Sequence, residues 1–245
     1  MLPPLFSAPN EPYAIHISKC LETFEIVFPH FEKCAKRILD VSLDNAAFKS
    51  ALIQMIRFHD LGKLTQKWQD ALNSNNKLPS HATLGAAFLY KTLPAGLKEP
   101  LSFAVAIHHT DRGLLGDNIE KPDAQAILEN IVDNTGRIIW HKAVCELFAD
   151  NSPEKKEIEQ LDVYSLKSMA RGLRIWARGC ALLEQHRRRL QAALAHHILK
   201  LCDISAALQR KEYERQSDQD YFGGWLMVEN IRDYVQKLRN KQVAG

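Results

Sequence analysis

The sequence predicts an all-α fold. Apolar residues recur at i, i+3 and i+4 in successive runs between residues 14 and 133, the spacing that lines one face of a helix. Clear strand alternation is absent, apart from an ambiguous "GRIIW" at 136–140. All ten prolines lie at or before Pro153, so the last 92 residues contain no helix breaker and read as two or three long helices. No linker is long or polar enough to separate two cores. The expectation is therefore one mostly helical domain over 1–245, with 154–245 as its Pro-free long-helix part.

The helical runs fall at 14–28, 31–39, 43–58, 61–72, 81–93, 100–109 and 124–133. Ser80 stands directly before "HATLGAAFLYKTL" as the expected N-cap, and Pro94 stops that run at its far end. "NSNNKLPS" (73–80), "TDRGLLGDNIEKPD" (110–123) and "ADNSPE" (149–154) have the composition of loops.

Composition excludes several classes. With 46% apolar and 25% charged residues the chain can bury a sizeable core, and a net charge of +3 does not by itself point to nucleic acid or membrane. Five cysteines, at 20, 34, 145, 180 and 202, form no CxxC pair. That argues against a disulfide framework or thiolate zinc site, for a reducing compartment, and for cysteines that serve as core residues. "MLPPLFSAPNEP" lacks the basic region and apolar core of a signal peptide. No apolar stretch approaches the roughly 18 residues of a membrane span. A soluble, cytoplasmic protein is expected.

One segment breaks the helical pattern in an informative way. In "RFHDLGKLTQKWQDAL" the apolar residues Ile53, Ile56, Leu61, Leu64, Trp68 and Leu72 keep helical spacing, yet His59-Asp60 and Gly62-Lys63 interrupt it. A lone His-Asp pair is usually a local cap. Here it has company: His81 opens the next helix, and His108-His109 close "FAVAIHH". Five potential ligands thus sit at helix ends, where side chains face a cleft. Imidazole and carboxylate are the usual donors for catalytic divalent cations with mixed N/O coordination. Adjacent helical residues project about 100° apart. His59 can therefore face one ion while Asp60 bridges two ions roughly 3.5–4 Å apart.

The order His, His-Asp, His, His-His, Asp is similar to the HD superfamily of metal-dependent phosphohydrolases. "HDLGK", a single His 21 residues after Asp60 and "HH" 27 residues later resemble the HD nuclease of type I CRISPR systems. The resemblance covers about 1–210 and is strictest from His59 to His109. It implies a helical HD domain with its metal site at helix ends in a central cleft. It also implies a histidine in an early helix. His16 in "YAIHISKCLETF" fits, with Ile15, Cys20, Leu21 and Phe24 as the buried face, and His30 is the competitor. A late aspartate followed by Ser is matched by Asp203 and Ser205 in "ILKLCDISAAL", with His196 or His197 as the alternative.

By the same resemblance His16, His59, Asp60 and Asp203 hold one ion, and Asp60, His81, His108 and His109 hold the other. Asp60 and Lys63 are then the catalytic residues, Lys63 offering a fixed charge to the scissile phosphate. The ions, one or two in number, are drawn from Mg, Mn, Ni, Co or Fe. The implied activity is two-metal hydrolysis of single-stranded DNA or RNA, as an endonuclease or exonuclease in CRISPR antiviral defense. The partners are a separate helicase chain and a guide-RNA surveillance complex, since no GxxxxGK[ST] loop occurs in this sequence.

The substrate has an independent signal. Between Lys167 and Lys200 stand eight basic residues against one acidic, Glu184. Arg171, Arg174 and Arg178 follow i, i+3, i+7 and form one helical stripe, the footprint of phosphate-backbone contact as opposed to a merely solvated face. Two other functions compete: an HD-type nucleotide phosphohydrolase or cyclic-nucleotide phosphodiesterase, and a non-enzymatic helical adaptor. A compact nucleotide pocket has no use for a stripe of arginines over several turns. An adaptor has no use for ligands in this order. His141 and His186 stand apart from other ligand types, and Trp68 reads as packing.

Overall fold

The described helices bury apolar residues against one another in one main cluster, and the fold is the arrangement that covers it. The structure is a computed structural model and describes residues 4–39, 43–109, 131–150, 152–178, 181–209 and 225–243. Its helices are α1 (Tyr13–Leu39), α2 (Asn45–Phe58), α3 (Gln66–Asn73), α4 (Ala82–Thr92), α5 (Lys98–Ala106), α6 (Val144–Leu147), α7 (Pro153–Glu159), α8 (Val163–Arg178), α9 (Leu182–Leu208) and α10 (Trp225–Val243). The all-α expectation holds. Among the described residues no helix is long and apolar enough to cross a membrane.

The central pair is α1 against α9. On α1 the residues Tyr13, Ile17, Cys20, Phe24, Val27 and Phe28 are buried at helical spacing, and the stripe continues through Ala35 to Leu39. Ile15, expected on that face, is 50% exposed. The stripe also explains why 14–28 and 31–39 are one helix and not two. Proline inside a helix costs about 3 kcal/mol. Burying a side chain such as Phe28 or Leu39 returns roughly 1.5–3 kcal/mol each, so continuity wins. Helix α9 runs antiparallel to α1: Gln191 donates to the Ile38 carbonyl at one end, and Lys19 to the Gln209 carbonyl at the other. Val235 and Leu238 of α10 cover Val27 and Leu201 at the edge of this pair.

Other elements depart from the sequence pattern for local reasons. The run at 61–72 divides into a 3-10 turn, Leu61–Leu64, and α3. Thr65 makes the break: its hydroxyl donates to the Gly62 carbonyl (2.9 Å) and accepts from the Trp68 amide. Asp44 caps α2 through the Ala47 amide. Ser80 is exposed and is not the cap of α4. That position belongs to His81, which makes no side-chain cap. The "GRIIW" segment forms no sheet but three isolated bridges, Val132 to Ile138, Thr65 to Trp140 and Arg137 to Asp162. It straps the 3-10 turn, with Gln66 N donating to Ile139 O and His141 N to Leu64 O. Helical periodicity does not reveal β1 (Phe6–Ala8) and β2 (Glu11–Pro12), an antiparallel pair turning at Pro9-Asn10 with Asn10 at φ 59°. The loop expected at 110–123 and most of the run at 124–133 lie outside the described residues.

Of the cysteines, Cys20 and Cys202 are buried as expected. Cys34 and Cys145 are exposed, contrary to a core reading, and Cys180 lies outside the described residues. The four described are free thiols.

Two glycines set how closely the elements meet. A Cβ at Gly62 would collide with the His81 carbonyl oxygen and lie 2.7 Å from its Cα. A Cβ at Gly85 would collide with the Phe58 carbonyl oxygen and lie 2.7 Å from that of His59. The colliding atoms are backbone, which cannot swing aside. Gly85→Ala should therefore lower the unfolding free energy by roughly 1–3 kcal/mol, measured as a drop in the urea midpoint. An unchanged midpoint would mean that α4 does not back onto the end of α2 this tightly.

Candidate metal centre

Helix ends bring seven side chains to one place. His16 projects from the first turns of α1, His59 follows the end of α2, and Asp60 opens the 3-10 turn that carries Lys63. His81 opens α4, His108 and His109 follow α5, and Asp203 faces inward from α9. The close contacts at Gly62 and Gly85 are what allow three of these ends to converge.

The buried carboxylate of Asp60, 1% exposed, lies at the middle. Its Oδ2 is 3.5 Å from His16 Nε2 and 3.5 Å from His59 Nε2. Its Oδ1 is 3.0 Å from His81 Nε2 and 3.5 Å from His108 Nε2. Asp203 Oδ1 completes the first set at 3.3 Å from His16 Nε2 and 3.7 Å from His59 Nε2. His109 Nε2 completes the second at 2.6 Å from His81 Nε2. Two groups result whose donor atoms lie within 4.8 Å of one another and which can each hold an ion: His16, Cys20, His59, Asp203, and Asp60, His81, His108, His109.

The donor chemistry fits a cation. His59 Nδ1 donates to the Ile56 carbonyl at 2.7 Å, and His108 Nδ1 donates to the Val105 carbonyl at 2.6 Å. Carbonyls only accept, so in the neutral form of each ring the proton sits on Nδ1 and the Nε2 lone pair points inward. His59 Nε2, His108 Nε2 and both Asp60 oxygens are buried without a hydrogen bond. A buried polar atom left unsatisfied costs about 1–3 kcal/mol, and four converging acceptors are what a divalent ion would satisfy.

Electrostatics divide the two groups. Burial opposes charge on Asp60, but His59, Lys63, His108 and His81 outweigh it and hold the carboxyl well below its usual range. Burial likewise opposes ionisation of Asp203, and His16 and His59 override it, so this carboxyl too is held low. Burial opposes charge on His16, while Asp203, Cys20 and Glu11 raise its pKa well above the ordinary imidazole value. His81 goes the other way: burial takes it down to about 4 against the pull of Asp60.

Comparison with known proteins follows this geometry. No protein-family model matches the chain. Over 97 residues it is 32% identical to the CRISPR-associated endonuclease Cas3-HD of Thermoproteus tenax, a match spanning 40% of this chain and 38% of that protein. It superimposes on the CRISPR-associated Cas3 HD domain protein from Methanocaldococcus jannaschii with a TM-score of 0.56 at 17% identity, covering 82% of this chain and 99% of that one. The fold is an HD domain. In sequence and in fold this HD domain resembles the CRISPR-associated Cas3-HD proteins.

Of the residues singled out by sequence, the HD domain brings together His16, His59, Asp60, Lys63, His81, His108, His109 and Asp203. His30 lies exposed on α1, and neither His196 nor His197 belongs to either group. His197 is exposed, its ring 5.8 Å from that of Phe31. His141 and His186 are also outside the groups, and Trp68 is buried. Lys63 is 7% exposed and its ammonium rests 2.7 Å from Asp60 Oδ2, so it faces the carboxylate and not open solvent.

Arg171, Arg174 and Arg178 are exposed on α8. Helix α8 packs through Gly172 against Tyr90, near the far end of α4. Nine residues separate Tyr90 from His81, about 13 Å of helix. Glu11 was missed by sequence reasoning. It precedes α1, so helical spacing cannot reveal that its carboxylate lies beside His16. Cys20, four residues after His16, was read as core only; its Sγ lies 3.7 Å from His16 Nε2.

Two measurements check the centre. His81→Ala should remove one bound ion by elemental analysis and leave helical circular dichroism unchanged; unfolding instead would make His81 a packing residue. Because His16 holds a proton to above the ordinary imidazole pKa, an ion entering its group must displace that proton. Calorimetry in two buffers of different ionisation enthalpy should register proton release, and affinity at that group should fall as pH is lowered. Uptake without proton release would contradict a charged His16.

Proposed function

We propose that this HD domain is a divalent-metal-dependent phosphodiester hydrolase, a CRISPR-associated nuclease that cuts single-stranded DNA by a two-metal mechanism. The observation that carries the reading is the division of labour within Asp60. Its Oδ2 serves His16 and His59, its Oδ1 serves His81 and His108, and so one carboxylate links two ligand groups. When bound, divalent ions supply Lewis-acid activation of water and charge neutralisation at a phosphate. His16, His59 and Asp203 with Asp60 Oδ2 would hold one ion; His81, His108 and His109 with Asp60 Oδ1 would hold the other. The imidazole-rich donor set favours Mn, Fe, Co or Ni over Mg, which prefers oxygen.

The chain's own residues do the remaining work. His59 and His108, their Nδ1 protons tied to backbone carbonyls, keep their lone pairs fixed without reorganisation. Lys63 keeps a cation beside the linking carboxylate and offers N–H donors to a phosphate oxygen as charge develops there. Similarity to CRISPR-associated Cas3-HD supports a nucleic-acid substrate, and a separate helicase chain and guide-RNA surveillance complex are its proposed partners. The exposed Arg171, Arg174 and Arg178 support a polymer over a nucleotide: a cationic stripe along two helical turns suits successive phosphates of a strand.

The direct test is Asp60→Ala with linear and circular single strands, DNA and RNA, as substrates. Hydrolysis should be abolished and bound metal lost; more than a few per cent of wild-type activity with metal content unchanged would end the two-metal reading. The stripe is tested separately. Replacing Arg171, Arg174 and Arg178 together with Gln should weaken strand binding and flatten its log–log salt dependence by about 0.7 per lost contact. Hydrolysis of a small phosphodiester should survive in that variant. Unchanged binding and slope would make the stripe a solvated face and favour a nucleotide phosphohydrolase.

A further inference from the structure

His59 and His108 solve the problem of ring orientation locally. Each lies just past a helix, where the carbonyl three residues back belongs to the last helical turn and accepts the Nδ1 proton. His16 cannot do the same. It lies within α1, four residues from the start, where the preceding carbonyls are committed to helical hydrogen bonds. Its Nδ1 is buried and has no well-aligned hydrogen bond among the described residues. The group facing that nitrogen is the Glu11 carboxylate, with Oε2 at 3.3 Å.

Glu11 is itself held firmly. It is 4% exposed, and Ser7 Oγ donates to its Oε2 at 2.9 Å across the β1–β2 pair. Lys19 Nζ stands 3.7 Å from its Oε1. The strand pair is tied in turn to the 3-10 turn of Asp60. Gln69 accepts from Phe6 N and donates to Phe6 O and to Lys63 O. A two-stranded ribbon this short is not stable alone. Here it lies between α1 and the Asp60 turn, and it brings a carboxylate to the back of one imidazole.

We propose that Glu11 is the positioning residue of the first ligand group: its carboxylate accepts the Nδ1–H of His16 and so keeps Nε2, once an entering ion has displaced its proton, aimed at Asp60 and Asp203. This inference rests on the metal reading above. Carboxylates behind ligating histidines fix the tautomer and raise ligand basicity, and their loss typically costs 10–100-fold in affinity.

The test is calorimetric titration of the full chain with Mn2+, Co2+ and Ni2+ in turn, for wild type, Glu11→Gln and Glu11→Ala. Glu11→Gln keeps an acceptor of the same shape without the charge and should weaken one ion about 10-fold. Glu11→Ala should weaken the same ion by up to about 100-fold. The second ion, at Asp60, His81, His108 and His109, should bind as in wild type. A merely structural role would not produce this selectivity. Equal weakening of both ions together with a lower melting temperature of the metal-free chain would overturn the positioning role. So would wild-type affinity in Glu11→Ala, which would leave the metal reading intact. If wild type binds none of the three ions, the metal reading falls and the role of Glu11 falls with it.

Discussion

A single buried carboxylate is the constraint around which this structure is organised. Asp60 is 1% exposed, and an ionised group at that depth persists only where partners replace its lost hydration. Four imidazoles and the Lys63 ammonium surround it at 2.7–3.5 Å. They come from α1, α2 and its following turn, the start of α4 and the end of α5. The helix ends are therefore placed by the same arrangement that surrounds one side chain, and the apolar residues of those helices must be covered without moving their termini.

Glycine makes this arrangement sterically possible. The "HDLGK" turn lies directly against the His81 backbone, and Gly85 lies directly against the carbonyls of Phe58 and His59. Any Cβ at either place would push the Asp60 turn away from α4 and separate Oδ1 from His81. The motif is thus as much a packing requirement as a list of ligands: the His and Asp offer donors, and the Gly sets the distance at which they meet.

The sequence revealed most of the cluster because its members occupy helix ends in a fixed order, and order survives in one dimension. Helical periodicity located α2, α4 and α5 to within a few residues, and Asp203 was proposed from the family resemblance, not from spacing. What could not be read had local causes in some places and contacts between distant segments in others. The runs at 14–28 and 31–39 are one helix with Pro29 inside it, because tertiary burial overrides the proline. Thr65 divides a run whose apolar spacing is continuous. Ser80 has the right chemistry for a cap, but His81 occupies that position. Glu11 has no periodicity to announce it, since only the β1–β2 pair and Gln69 bring it behind His16. The Arg stripe was correctly read as exposed; its place beside the far end of α4 is tertiary information.

The antiparallel pairing of α1 with α9 has a consequence for the order in which the protein assembles. His16 comes early and Asp203 follows 187 residues later, so the first ligand group is among the most non-local contacts in the chain. Closing so long a loop carries an entropic cost that is recovered only when α9 docks. During synthesis, which proceeds from the N-terminus, His16, His59 and Asp60 emerge well before their last partner. A nascent chain therefore has the Asp60-His81-His108-His109 group within reach first, and the His16 group only after α9 has left the ribosome. If both groups are needed for hydrolysis, that activity cannot precede the docking of α9.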